Sequence, residues 1–422
     1  MSNARGLLGI AVLILIAWAL SSDRRRFPIK TVLGGLALQW GLALLVLKTE
    51  PGRAFFDAVA TVVTVILSGA DEGAKFVFGH LASDGPVIAG VKIMSTIIVV
   101  ATLSSLGYHY GILQRVVRGM AWVMTRALGV TGPESLSGAA NVFLGQTEAP
   151  LLVRPFLAKM SRSELMAVMT GGFATISAGV MAYYVTVLGQ RPPLTPVIMA
   201  RHLMTASLMS APAAFIMAKI MIPPGEEARP GGHVAETAPI ETKNGLDAAA
   251  TGAAEGMKLS INVLAMLVAF IGLVTIVDKG LMALGDLSFM RPMVHAMGAE
   301  HLNLDSLLGL LFSPVAWVLG VESGDCRMYG GLLGKAMATN EMIAYRTLGE
   351  IAKEGAMTQR SIIMVTYSLC GFANFSSIGI QIGGIGSLAP ERRGDLVRLG
   401  PRAMLAGAMA SWMTGCIAGM LI

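Results

Sequence analysis

Charge is what this sequence has least of: 14% of its 422 residues are Asp, Glu, Lys or Arg, against 54% that are hydrophobic. A soluble domain carries about a quarter charged residues. A soluble globular chain is therefore excluded, and a chain that crosses a bilayer many times is expected. Cysteine is nearly absent. Cys326, Cys370 and Cys416 form no CxxC and no paired framework, so they read as small packing residues. The six histidines are scattered, with neither HExxH nor metal-ligand spacing, and metal catalysis is not expected. No P-loop signature occurs, and Gly383-Gly384-Ile385-Gly386-Ser387 does not make a phosphate loop, so ATP-driven work is not expected either.

The formal charge of +6 does not point to nucleic acid. The basic residues cluster beside apolar segments: Arg24 to Arg26, then Arg115, Arg118 and Arg126, then Arg392, Arg393 and Arg398. That is the pattern of cytoplasmic loops under the positive-inside rule. Glycine (50 residues) and methionine (28) are plentiful, and small residues let membrane helices approach closely.

The stretch Leu7 to Leu20 reads as a retained first helix. Its basic cluster follows the apolar run, whereas a signal peptide has it before, and no small-residue cleavage site precedes it. Further helices are predicted near 31–47 and 86–113; the acid-free runs Gly34 to Val46 and Met94 to Leu106 look like scaffold. The segment 53–82 mixes Asp57, Asp71, Glu72 and Lys75 with Phe55, Val62, Val65 and Phe78, which predicts an amphipathic helix lying at the interface. A loop at 223–246, rich in Pro and Gly, is the clearly soluble linker, and a long apolar helix, Leu259 to Val277, follows it. The expected organisation is 1–118 as an N-terminal scaffold with an interfacial helix and 119–222 as a first repeat. Then come 223–246 as a cytoplasmic loop, 247–280 as a long connecting helix and 300–422 as a second repeat.

The repeat rests on a phrase that occurs twice. Gly172-Phe173-Ala174-Thr175-Ile176-Ser177 returns as Gly371-Phe372-Ala373-Asn374-Phe375-Ser376. Gln146-Thr147-Glu148 precedes the first copy and Asn340-Glu341 the second, and stretches opened by Arg201 and Arg402 follow. Counting crossings places the copies in opposite orientations, as inverted repeats. Duplicated hydrophobic segments interrupted by Gly and polar residues mark a secondary transporter. The acid-bearing stretches 133–158 and 305–352 are too punctuated by Gly and Pro to span, which predicts two re-entrant helical hairpins. Glu322 and Asp325-Cys326 fall to a hairpin turn.

An acid at membrane depth costs about 2.5–3.5 kcal/mol even on insertion scales, so Glu148 and Glu341 should face a cavity or a partner. Arg154 is the structural alternative as partner of Glu148. Asn374, Ser376 and Ser377 beside Phe372 suggest a wall for a hydroxyl-rich ligand. Asn141, Thr175 and the carbonyls of Leu144 and Ile176 are candidate ligands for a hard cation such as Na⁺.

Three motifs resemble those of the concentrative nucleoside transporters. They are the run from Gly145-Gln146-Thr147-Glu148-Ala149-Pro150 to Phe156, the run Asn340-Glu341-Met342-Ile343-Ala344-Tyr345, and the run Cys370-Gly371-Phe372-Ala373-Asn374-Phe375-Ser376-Ser377-Ile378. The resemblance implies an all-α polytopic membrane protein: a homotrimer whose protomers have eight transmembrane helices, two re-entrant hairpins and an interfacial helix. It implies a sodium-driven symporter importing nucleosides such as uridine or adenosine across a bacterial inner membrane by elevator-type movement. It implies that Gln146, Thr147, Glu148 and Val180 hold the base, with Leu264 touching it, and that Glu341, Asn374 and Ser377 hold the ribose beside Phe372. Sodium would sit near Asn141, Leu144, Thr175 and Ile176. Family members often have Phe-Val where this chain has Met342-Ile343. Proton coupling through Glu148 or Glu341 is the alternative within transport. A membrane-embedded enzyme using the two acids as a pair is the alternative outside it, though no nucleophile-base constellation supports one.

Overall fold

The computed structural model describes residues 2–83, 89–189, 194–225, 242–296 and 301–422, and among these the regular elements are helices. The first third holds α1 (Ser2–Ala19), α2 (Ile29–Lys48), α3 (Glu50–Phe78), the short α4 (His80–Ser83), α5 (Ala89–His109) and α6 (Ile112–Leu128). The first repeat continues with α7 (Gly132–Ala140), a 3-10 turn (Ala149–Val153) and α8 (Arg154–Leu157), then α9 (Arg162–Ala174), α10 (Ala178–Leu188) and α11 (Pro196–Met221). After the linker come α12 (Gly245–Gly285), α13 (Arg291–Ala296) and α14 (Leu304–Val318). The second repeat then has α15 (Cys326–Ala338), α16 (Glu341–Glu354), α17 (Gln359–Ser368), α18 (Phe375–Leu388) and α19 (Arg393–Leu421).

Local chemistry sets these boundaries. Gly111, at φ +71°, turns the chain between α5 and α6 in a conformation that a β-carbon would oppose. Thr131 with Glu134, and Ser161 with Glu164, form capping boxes that start α7 and α9. Thr195, Asn244, Asn303 and Thr358 cap α11, α12, α14 and α17 through their side-chain oxygens.

The predicted first helices are present, and the helix expected at Leu259 to Val277 is part of the 41-residue α12. The linker expected at 223–246 lies mostly outside the described residues. Two expectations are corrected. Arg115, Arg118 and Arg126 are carried by α6 rather than by a loop; its buried stripe of Gln114, Val117, Ala121, Met124 and Leu128 has helical spacing. The stretch 305–352 is not one hairpin: α14 is a helix of its own that packs closely on α15, where Gly330 and Gly334 admit Phe312 and Leu308, Glu322 and Asp325 lie in the turn between them, and the pair that meets at Asn340 is α15 with α16. The segment expected to be interfacial is the continuous 29-residue α3, long and apolar enough by composition to cross a membrane. Among the described residues, five other stretches have that length and apolarity: Ile29–Lys48, Gly90–His109, Arg162–Leu188, Pro196–Met221 and Pro390–Leu421.

After the two acid-bearing stretches the element order recurs. α9, α10 and α11 correspond to α17, α18 and α19, with the twice-occurring phrase at the break in each. α11 and α19 are buried almost along their whole length and pack on each other at the centre.

The arginine clusters gather at the linker end of the bundle. The α1–α2 turn that carries Arg24 to Arg26 bonds to the end of α11 through Ser22 N–H and Met221 C=O. α6 follows the end of α5, where His109 meets Thr242 just before α12. Arg392 donates to the carbonyls of Ala158 and Met160, and Arg162 pairs with Asp395. Lys219, near the end of α11, forms a buried 2.5 Å ion pair with Glu134 and donates to Ser163. At the other end of the bundle, ion pairs join α3 to α11 and to α5. Asp57 meets Arg201, early in α11, at 2.8 Å, and Asp71 meets Lys92, early in α5, at 3.7 Å.

Candidate functional site

The two breaks touch. In the first repeat Thr175, Ile176 and Ser177 are unwound, and Ser177 caps α10 with its hydroxyl. In the second, residues 369–374 are unwound and Asn374 caps α18. A β-carbon at Gly371 would stand 2.5 Å from the carbonyl oxygen of Phe173, so only glycine allows the approach. Gly407 of α19 admits the Phe173 side chain in the same way. Ser411 lies over the seam, its hydroxyl 2.9 Å from Cys370 C=O and 3.3 Å from Ala174 C=O. Carbonyls freed by a break inside a bilayer need partners of this kind, or a ligand.

Around the seam the second repeat builds an acidic centre. Asn340 caps α16 through Ile343 N–H at 3.0 Å, which sets Glu341 at the first helical position, where the helix dipole favours negative charge. Glu341 is buried. One of its oxygens accepts from Asn374 Nδ2 at 2.8 Å and the other from Tyr184 OH at 3.0 Å. Tyr184 belongs to α10 of the first repeat and stacks on Tyr345 with ring centroids 4.0 Å apart. Asn374 Oδ1 in turn accepts from Ser377 N–H at 2.8 Å and Ser376 OH at 2.7 Å.

The first repeat brings its own hairpin tip, residues 141–148, to the same place. Ala178 N–H bonds to Phe143 C=O at 3.0 Å, and Ser207 OH to Val142 C=O at 3.1 Å, which fastens the tip to α10 and α11. Gln146 is buried and donates from Nε2 to Ser377 OH at 3.2 Å, while its Oε1 accepts from Gln381 of α18 at 3.1 Å. Thr147, half-buried, packs against Gly384. Glu148, also half-buried, turns its carboxylate back onto Gly145 N–H within the tip. Val180 is buried one turn after Ser177, and Phe372 is half-buried beside Asn374.

The oxygens considered for a cation meet one physical condition. Asn141 is fully buried against Gly171, and neither end of its amide has a hydrogen-bond partner. A buried unpaired amide is costly unless something unaccounted for satisfies it. Leu144 follows three residues on, and Thr175 and Ile176 lie at the first break, which is tied to the tip by the Ala178–Phe143 bond; the oxygens of these four residues are uncharged, chemistry suited to a hard cation of low charge.

Thus Gln146, Glu341, Asn374 and Ser377 are joined by hydrogen bonds. Leu264 lies elsewhere, on α12 against Gly90 of α5. Tyr184 and Gln381 were missed, although the spacing carried a signal. Ser177, Val180 and Tyr184, like Asn374, Ser377 and Gln381, stand at i, i+3 and i+7 on one helix face.

Comparisons with known proteins bear on this arrangement. Residues 202–419 match the family described as "Na+ dependent nucleoside transporter C-terminus", residues 8–81 its N-terminus, and residues 91–191 a "Nucleoside recognition" family. The chain belongs to the concentrative nucleoside transporter family. This transporter is 39% identical to an uncharacterized transporter of Haemophilus influenzae, over 100% of this chain and 98% of that protein. It is 35% identical to sodium/nucleoside cotransporter 1 of Sus scrofa, over 98% of this chain and 63% of the longer pig protein. A structure of CNTnw in an inward-facing substrate-bound state superposes with a TM-score of 0.90 at 33% identity, covering 100% of this chain and 98% of that one. An outward-facing structure of a CNTnw variant gives 0.89 at 33% identity, over 100% and 98%. These relatives are transporters and not enzymes, which removes the reading of Glu148 and Glu341 as a catalytic pair.

Proposed function

We propose that this transporter imports nucleosides by sodium symport, with the binding site at the meeting of the two hairpin tips and the two breaks. The observation that carries the reading is the 3.2 Å bond between Gln146 and Ser377. It links the Gln146 amide of one repeat through Ser377 and Asn374 to the Glu341 carboxylate of the other, so that groups suited to the two halves of a nucleoside share one network. Gln146, Thr147 and Glu148, with Val180, take the edge of the base. Glu341, Asn374 and Ser377 take the ribose, whose hydroxyl donors make strong charge-assisted bonds to a carboxylate. Phe372 covers an apolar face of the ligand. Leu264 joins this set only if α12 shifts relative to the hairpins.

Sodium is the coupling ion, held by Asn141, Thr175 and the carbonyls of Leu144 and Ile176. Ordering the first hairpin around the ion lowers the ordering cost left for the nucleoside, which couples the two. The hairpin-bearing core moves against a scaffold in a homotrimer, elevator-fashion, with eight spanning helices and two re-entrant hairpins per protomer.

The linker end, with the arginine clusters, faces the cytoplasm of a bacterial inner membrane. α3 then lies in the opposite interface. α11 ends at the linker and α12 begins there, and α5 runs antiparallel to α12, since Gly252 meets Thr102 and Gly256 meets Ile98. The starts of α5 and α11 therefore share the far side, and α3 is ion-paired to both. Asp57 and Asp71 are about 21 Å apart along α3 at 1.5 Å per residue. A spanning helix would not keep both at one surface.

Uptake of radiolabelled uridine and adenosine into proteoliposomes with an inward sodium gradient and no pH gradient tests the reading. Accumulation that collapses when choline replaces sodium is expected. Accumulation indifferent to sodium but driven by a pH gradient would establish proton coupling instead.

A further inference from the structure

Gln146 and Gln381 meet inside the protein, and a backbone group decides which way round both amides lie. Gln381 is fully buried on α18. Its near atom stands 3.1 Å from the Met169 carbonyl of α9 and 3.1 Å from the Gln146 side chain. A backbone carbonyl only accepts, so the atom facing Met169 is the amide nitrogen of Gln381. Its second hydrogen then meets Gln146, whose facing atom has to be the acceptor Oε1. Gln146 Nε2 is thereby turned to Ser377, and since nitrogen donates, the Ser377 hydroxyl accepts and keeps its own proton for another partner.

The same logic runs in from the other side. Ser377 N–H only donates, so the atom of Asn374 that faces it is Oδ1, and Asn374 Nδ2 is left to donate to Glu341. Two backbone groups, the carbonyl of Met169 and the N–H of Ser377, thus set the polarity of every side chain from Gln381 to Glu341. Gln381 holds its place even though its own Oε1 is buried without a partner.

We infer that Gln381 is a positioning residue for base selection: it locks the Gln146 amide in one orientation and so decides which base edges the first hairpin accepts. The inference rests on the reading that Gln146 contacts the base. Uridine and cytidine share a sugar and a shape but invert donor and acceptor at one base edge. A locked amide complements one pattern, whereas an amide free to turn over serves either.

The test is the uridine-to-cytidine ratio of kcat/KM in proteoliposomes, for the natural chain and two variants. Gln381→Met removes the donor fork. Gly172→Ala acts from α9, because its β-carbon would stand 2.9 Å from both Gln146 Cβ and Gln381 Nε2. Each assembled variant should change the ratio by at least about fivefold, the scale of one buried hydrogen bond. Size-exclusion chromatography in detergent establishes assembly, and if one variant does not assemble the other decides. Equal losses for both nucleosides, or an unchanged ratio, would overturn the inference and leave the transport reading standing. Absence of uptake of any nucleoside by the natural chain would instead overturn both.

Discussion

Tyr184 and Glu341 are 157 residues apart in sequence and 3.0 Å apart in space, a hydroxyl of the first repeat donating to a carboxylate of the second. The tyrosine ring is held independently by stacking on Tyr345, so its hydroxyl can be removed with little loss of packing. A buried carboxylate that loses a donor is destabilised by about 1–3 kcal/mol. Tyr184→Phe should therefore lower kcat/KM for uridine by roughly tenfold. Unchanged kinetics would mean that this bond has no part in transport.

Glu341→Gln keeps the size of the side chain and an oxygen to accept from Asn374, but removes the charge that ribose hydroxyls would meet. Uptake should fall at least about a hundredfold, given the strength of charge-assisted bonds, with assembly in detergent intact. Near-normal uptake would remove the sugar role from this residue.

Asn141 gives a test of the cation reading that needs no transport. Its amide is buried with both ends unpaired. Sodium should raise the melting temperature of the natural chain relative to choline, as any ligand of the folded state does. In Asn141→Leu that increment should vanish, while stability in choline holds or improves, since an unpaired amide has been replaced by an apolar group of like size. A sodium increment that survives in this variant would place the ion elsewhere.

Lys219 and Glu134 form a buried pair, with side chains 4% and 1% exposed, at the base of the first hairpin. Lys219→Met should destabilise the protein by about 3–5 kcal/mol, because buried Glu134 keeps the Thr131 N–H but loses its counter-charge. Combining it with Glu134→Gln should recover much of the loss. A double variant no more stable than the single one, in thermal unfolding, would show that the charge of Glu134 is not the source of the penalty.

The position of α3 can be read with thiol chemistry, because Cys326, Cys370 and Cys416 are all buried and should stay silent. Ala54→Cys and Gly73→Cys stand on exposed faces near the two ends of α3. A membrane-impermeant maleimide applied to intact cells should label both, from the periplasmic side. Labelling of only one would show that α3 crosses.

Much of this architecture was legible in the sequence because polar residues and glycines stand out in apolar surroundings. The break at Gly371 and the acid beside Asn340 could each be seen without a structure. The second hairpin was harder to delimit: the interruption at Gly320 to Asp325 looks like the one at Thr339-Asn340, yet the first only turns the chain between α14 and α15. α6 was hidden for the opposite reason, since its arginines masked a buried stripe that starts at Gln114. Tyr184 and Gln381 needed the register of α10 and α18 as well as their composition. Leu264 is one of many apolar residues along α12, and only packing shows that it faces α5.

The seam at Gly371, Gly407 and Ser411 bears on leakage. With ion and sugar held as proposed, an ion slipping through without its cargo would need the first-repeat half of the core to part from the second-repeat half. The two halves meet there through backbone atoms held at van der Waals distance, with a single hydroxyl bonded to both. Nothing at that junction is long enough to stretch. On the proposed reading, ion and sugar would then move as one, and the tightness of coupling becomes a matter of two missing β-carbons.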